Sequence, residues 1–229
     1  MRTRVKICCM ASVEELRLAV EAGADAVGLV AAMPSGPGPI ADELAAEIAL
    51  AVPPGVTAFL LTSREEGVDI VAHALAVGVS AVQLVRHVDR REHDVIRRLD
   101  PRLKIIQVVH VEDGGAVDLA RHYAETADAL LLDSGRPSAN ELGGTGRAHD
   151  WSVSRRIVEA VRRPVFLAGG LNPGNVADAI RQVRPFGVDV CSGLRPNGAL
   201  DADLLTGLLA ASREADRAPA RDDAAAGRR

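Results

Sequence analysis

One alternation restricts this chain more than any other feature: about eight times, a short β-branched run is followed by an Ala/Leu/Glu/Arg-rich stretch with helical spacing. The runs are Arg4–Cys8, Ala26–Ala31, Val56–Leu61, Ala81–Val85, Lys104–Val111, Ala129–Asp133, Pro164–Ala168 and Val188–Ser192. Helical spacing covers Val13–Ala22, Asp42–Ala51, Glu65–Ala76, Arg90–Leu99, Ala116–Glu125, Trp151–Val161, Pro173–Val183 and Ala202–Ser212. A strand that always leads into a helix sends the chain back to the same end of the sheet, so the strands must lie parallel. About eight such units in 229 residues suit a closed barrel, whereas an open doubly wound sheet usually uses about five or six strands. The expected fold is therefore α/β, a single-domain (β/α)8 TIM barrel over residues 1–212. Residues 213–229 are rich in Ala, Arg and Asp without apolar periodicity, and are expected to form a flexible C-terminal tail.

Composition removes several classes of function. With a net charge of -4 and 2% aromatic residues, the chain has neither the basic excess that phosphate backbones require nor rings on which bases stack. Nucleic acid is not an expected partner. No apolar run approaches the ~20 residues that span a bilayer, and the N-terminus enters Val5-Lys6-Ile7-Cys8 with no signal-type stretch. A cytoplasmic protein without membrane contact is expected. His73, His87, His93, His110, His122 and His149 show no ligand spacing, so no metal site is expected. Cys8, Cys9 and Cys191 form no paired framework, and neighbours on a strand face opposite ways, so all three are expected as free thiols. Neither the dinucleotide-binding glycine pattern nor the phosphate loop ending in Gly-Lys-Ser/Thr is present.

Barrel enzymes keep their chemistry in the loops that follow the strands, and two such loops stand out. One is Met33-Pro34-Ser35-Gly36-Pro37-Gly38-Pro39, which as a bland alternative is a rigid turn. The other, from Asp133 to Asp150, contains Leu142-Gly143-Gly144-Thr145-Gly146 and reads as an active-site lid. On the first strand Val5 and Ile7 share the face towards the helices, which leaves Lys6 and Cys8 pointing into the barrel. A buried cysteine is often only a small hydrophobe, but a nearby lysine favours the thiolate and makes the sulfur a base or nucleophile. The sixth strand ends in Asp133, either a turn cap or the proton donor opposite Cys8. Asp189 lies on the same strand face as Cys191 and is expected to meet Lys6 as an orienting ion pair, or as a structural one.

The last two strands carry the third constellation. Leu167-Ala168-Gly169-Gly170-Leu171-Asn172-Pro173 and Cys191-Ser192-Gly193 lie where such barrels often bind phosphate, because glycines let backbone N–H groups approach an anion and a helix N-terminus adds its dipole. Asn172-Pro173 also reads as a helix N-cap and first-turn pair. Gly169, Gly170, Ser192 and Gly193 are the expected phosphate-binding set.

Taken together, Val5-Lys6-Ile7-Cys8, Gly23-Ala24-Asp25-Ala26, Val82-Gln83-Leu84, Leu131-Leu132-Asp133-Ser134, Gly143-Gly144-Thr145-Gly146, Asp150-Trp151, Ala168-Gly169-Gly170-Leu171 and Val188-Asp189-Val190-Cys191-Ser192-Gly193 resemble the phosphoribosylanthranilate isomerase family. The resemblance spans nearly the whole chain. It implies an Amadori rearrangement of a small phosphorylated sugar-amine without cofactor, with Asp133 as general acid, Cys8 as general base, the four phosphate residues as above, and Lys6, Arg86, Gly144 and Asp189 binding or orienting substrate. A monomer or homodimer is expected. Two departures stand out: the family's Gly after the catalytic Cys is Cys9, here expected to face outward, and the arginine that pairs with the anthranilate carboxylate is missing at Gly36-Pro37-Gly38. Arg86, where the family has His-Gly after Gln-Leu, is the candidate replacement. Two alternatives remain open, an isomerase of a different N-phosphoribosyl amine and a non-catalytic binding barrel.

Overall fold

The computed structural model describes residues 2–135 and 149–217. Within them, strands β1 (Arg4–Ile7), β2 (Ala26–Val30), β3 (Thr57–Thr62), β4 (Ala81–Leu84), β5 (Lys104–His110), β6 (Ala129–Asp133), β7 (Val165–Leu167) and β8 (Gly187–Val190) pair in parallel and close in sequence order into a barrel. The intervening helices are α1 (Val13–Ala22), α2 (Asp42–Ala51), α3 (Gly67–Val77), α4 (Arg90–Leu99), α5 (Ala116–Ala124), α6 (Trp151–Ala160), α7 (Val176–Val183) and α8 (Ala202–Arg217). Local chemistry sets their ends. Before α1, Ser12 accepts a hydrogen bond from the Glu15 N–H at 3.2 Å, and Gly23 closes the helix at φ 103°, a conformation that favours glycine.

Strand alternation divides the apolar side chains into two cores. Val5, Ile7, Val27, Leu29, Leu60, Val82, Leu84, Leu130, Leu132, Val188 and Val190 pack outward under the helices. Ala26, Val30, Phe59, Leu61, Val85, Ile106, Val108, Leu131 and Phe166 fill the interior. The floor of that interior is aromatic: Phe166 meets Phe59 and Phe186 edge-on, with ring centres 5.9 and 5.4 Å apart, and its ring packs against Gly187, the first residue of β8.

Three expectations change. The helix expected at Pro173 starts at Val176, because the Asn172 side chain accepts the Gly174 N–H at 2.8 Å and forms a turn rather than a cap. The eighth strand stops at Val190, since from Cys191 the chain enters a single 3-10 turn over Ser192–Leu194. Helix α8 continues past Ser212, where the tail was expected to begin, to Arg217. The reason is a long-range tie: the Thr3 N–H and hydroxyl donate to the Asp216 carboxylate at 2.9 and 2.7 Å. Among the described residues, no helix is long and apolar enough to cross a membrane.

Candidate active site

The side chains of Lys6 and Asp189 face each other because β1 and β8 pair with these two residues in register. Lys6 Nζ, fully buried, donates to Asp189 Oδ1 at 2.9 Å and lies 5.6 Å from the centre of the Phe59 ring. Two residues further along, Cys8 is buried at the mouth of the barrel with its thiol in reach of Lys6. Room for both comes from the neighbouring strand: a Cβ on Gly28 would stand 2.5 Å from Cys8 Sγ and 3.0 Å from Lys6 Nζ. A glycine inside an otherwise apolar strand is the sequence signal that could have marked this close approach.

Electrostatics correct the expectation for Cys8. Burial is the largest influence and pushes the thiol up to about 11, while Lys6 pulls it down and Asp189 pushes it further up. The lysine does favour the thiolate, but its charge is already engaged by Asp189 and does not outweigh desolvation. Lys6 itself stays protonated: burial disfavours its charge, and Asp189 and Cys8 more than compensate, so its pKa is raised.

Cys8 and Asp133 line one cavity, together with Met33, Ser35, Gly36 and Pro37 of the first loop and Gly169, Gly170, Asp189 and Ser192. Asp133 closes β6 in register with His110. Its Oδ1 accepts the Ser134 N–H at 2.7 Å, so the turn-capping role and a place in the cavity coexist. Gly169 and Gly170 both have positive φ, 84° and 64°, where an L side chain is strained. A Cβ on Gly193 would collide with the Leu171 carbonyl, so the turns after β7 and β8 are packed backbone to backbone. Among the described residues, no backbone acceptor takes the N–H of Gly169, Gly170, Ser192 or Gly193.

One other expectation fails on geometry. Cys9 does not face outward; it adopts φ 65° once β1 has ended, which breaks strand alternation and turns it into the interior core beside Cys8. There it is joined in a disulfide to Cys191, so Cys8 is the remaining free thiol. Arg86 is absent from the cavity lining; its guanidinium sits 3.5 Å from the Glu65 carboxylate, while its carbonyl accepts from the buried Gln107 amide at 2.8 Å. Arg86→Ala should therefore leave kcat/KM within about threefold of the parent in a steady-state assay, the range of a surface ion pair; a tenfold rise in KM would restore it as a substrate contact. Gly144 and most of the second loop, residues 136–148, lie outside the described residues.

His149 was missed in the sequence. Its Nε2 lies 2.6 Å from the Ser154 hydroxyl, its Nδ1 would be 3.1 Å from a Cβ on Gly169, and burial lowers its pKa to about 4. It braces the glycine turn as a neutral ring. Its place directly before the helix cap Asp150 was the available signal.

Comparison with known proteins gives the family. Residues 5–211 match the family model described as N-(5'phosphoribosyl)anthranilate (PRA) isomerase. The chain is 39% identical over 202 residues to N-(5'-phosphoribosyl)anthranilate isomerase 2 of Methanosarcina mazei, covering 86% of this chain and 88% of that protein. It is 39% identical over 215 residues to the Haloferax volcanii isomerase, covering 93% and 94%. Among solved structures, the phosphoribosyl anthranilate isomerase of Thermotoga maritima superposes with a TM-score of 0.80 at 34% identity, covering 93% of this chain and 99% of that one. A phosphoribosyl anthranilate isomerase in complex with reduced 1-(o-carboxyphenylamino)-1-deoxyribulose 5-phosphate gives 0.77 at 32% identity, with the same coverage. With a match that runs from the first strand into the last helix, the chain belongs to the N-(5'-phosphoribosyl)anthranilate isomerase family.

Proposed function

We propose that this chain catalyses the Amadori rearrangement of N-(5-phosphoribosyl)anthranilate to 1-(2-carboxyphenylamino)-1-deoxyribulose 5-phosphate, with Asp133 as general acid and Cys8 as general base. The observation that carries the roles is the shared cavity, which puts a carboxyl group and a thiol from separate strands around one space. Asp133 gives its proton to the furanose ring oxygen, the C1–O bond breaks, and the amine nitrogen's lone pair forms the Schiff base. Cys8 then removes the proton from C2, and the resulting enolamine tautomerises to the ketone. A cationic Schiff base beside the sulfur offsets the desolvation that holds the thiol at about 11, so the substrate itself helps to create the thiolate. Lys6 and Asp189 keep the base in position from below.

Gly169, Gly170, Ser192 and Gly193 hold the substrate phosphate through N–H groups that no backbone acceptor takes among the described residues. Inorganic phosphate soaked into crystals should appear at these amides. Density for the anion elsewhere on the rim, with this site empty, would count against the phosphoribosyl reading. A phosphorylated substrate does not cross membranes freely, which supports a cytoplasmic location, and the single-chain cavity is compatible with a monomer or homodimer.

A second reading keeps the reaction and changes the amine. It is favoured by one observation, that the described residues lining the cavity include no lysine or arginine to meet a carboxylate. Complementation of a tryptophan auxotroph lacking this isomerase decides between them: growth supports the anthranilate substrate, and failure of a well-expressed protein supports another amine.

A further inference from the structure

Besides Cys8, the cavity holds a sulfur pair that the isomerisation does not use. Cys9 and Cys191 are joined as a disulfide with Cα atoms 6.0 Å apart, although 182 positions separate them in the chain. Cys9 directly follows the proposed base, and Cys191 directly precedes the Ser192–Gly193 turn, so the bond ties the end of β1 to the proposed phosphate loop. A third element rests on the same residue. The sulfur of Cys9 lies 3.6 Å from the Pro37 carbonyl oxygen, and a Cβ on Gly38 would stand 2.6 Å from Cys9 Cβ. This sulfur thus has two partners in reach: the sulfur of Cys191 when oxidised, and the Pro37 carbonyl as acceptor for its S–H when reduced.

We propose that Cys9 and Cys191 form a reversible thiol-oxidation site, whose disulfide fixes the Ser192–Gly193 turn for the substrate phosphate and whose reduction loosens that turn. The inference rests on the phosphate reading given above. Both residues line the cavity, and Cys191 is less buried than Cys9, so Cys191 meets an incoming oxidant first. The oxidant is a small-molecule disulfide of the glutathione class. The Cys191 thiolate attacks one of its sulfurs and expels one thiolate; Cys9, losing its proton to solvent, then attacks Cys191 and expels the second. Two protein thiols are oxidised and one small disulfide is reduced to two thiols. Cys8 is spared because its buried thiol, turned towards Lys6 and Gly28, offers little thiolate at neutral pH. In a reducing compartment, where intracellular disulfides are usually transient or redox-sensing, the pair rests as the dithiol.

The test uses the full-length protein, reduced with dithiothreitol or oxidised with oxidised glutathione. Thiols are counted after denaturation, the bond is mapped by mass spectrometry, and inorganic phosphate affinity and KM are measured in each state. The oxidised protein should show one free thiol, Cys8, and the reduced protein all three. Reduction should raise KM and the phosphate Kd by roughly tenfold, the size of one charge-assisted hydrogen bond, with kcat changing less. Cys9→Ser and Cys191→Ser should each match the reduced parent and form no internal disulfide, and oxidised Cys9→Ser should stop at the mixed disulfide on Cys191. Three free thiols after oxidation, or a bond through Cys8, would overturn the proposal, and so would equal phosphate affinity in the two states. If phosphate binds in neither state the phosphate reading fails as well, while the thiol count still reports separately on the cross-link.

Discussion

Replacing Cys8 with Ser lowers kcat for the isomerisation by at least ~10²-fold, and Asp133→Asn does the same, because each removes a positioned proton-transfer group. Circular dichroism and gel filtration should show both variants folded. The two are separable by pH. In Asp133→Asn, where the base alone titrates, the residual kcat/KM should keep climbing with pH beyond the ordinary thiol range near 8.5, because the thiol of the free enzyme lies at about 11. That alkaline limb should be absent when Cys8→Ser is added. Iodoacetamide should likewise alkylate Cys8 slowly at neutral pH and faster as pH rises. A folded Cys8→Ser variant with near-parental turnover would remove the sulfur from the mechanism.

The second large effect concerns stability. Lys6→Met leaves Asp189 buried without its cation, and such a change typically costs ~3–5 kcal/mol because the surviving charge is desolvated and unpaired. Urea unfolding monitored by circular dichroism should read that loss. The double variant Lys6→Met/Asp189→Leu should recover much of it, since the pair as a whole offers little over apolar packing. A loss below about 1 kcal/mol in the single variant would mean that solvent reaches Asp189, and that the interior around Phe59 is wetter than its burial indicates. Turnover gives an independent readout: without Lys6 the Cys8 thiol loses the influence that lowers it, so the alkaline limb should move still higher.

The barrel was legible because its signals are periodic. β6 falls at Ala129–Asp133 and α1, α2 and α4 at the expected residues, since burial on both faces of a parallel strand and one apolar stripe on a helix are written directly in side-chain spacing. The errors arise where a distant residue or an unusual backbone angle decides. Nothing near Ser212 announces that Thr3 will hold Asp216. The positive φ of Cys9 overrides the alternation that would have turned it outward, and with it goes the expectation of three free thiols. The ion pair of Arg86 with Glu65 is likewise a contact that no local pattern announces. The pairing of Lys6 with Asp189 needed just the parity of two strands, whereas the pKa of Cys8 depends on burial that no local pattern records.

The aromatic floor has a further consequence. Phe59, Phe166 and Phe186 close the end of the barrel away from the catalytic loops, and Arg4 stacks 5.8 Å over the Phe186 ring from outside. The molecule is a cup rather than a tube. Substrate arriving, product departing and displaced water would all share one rim, so a molecule seated there by its phosphate as proposed would act as a stopper over the sulfur beneath it.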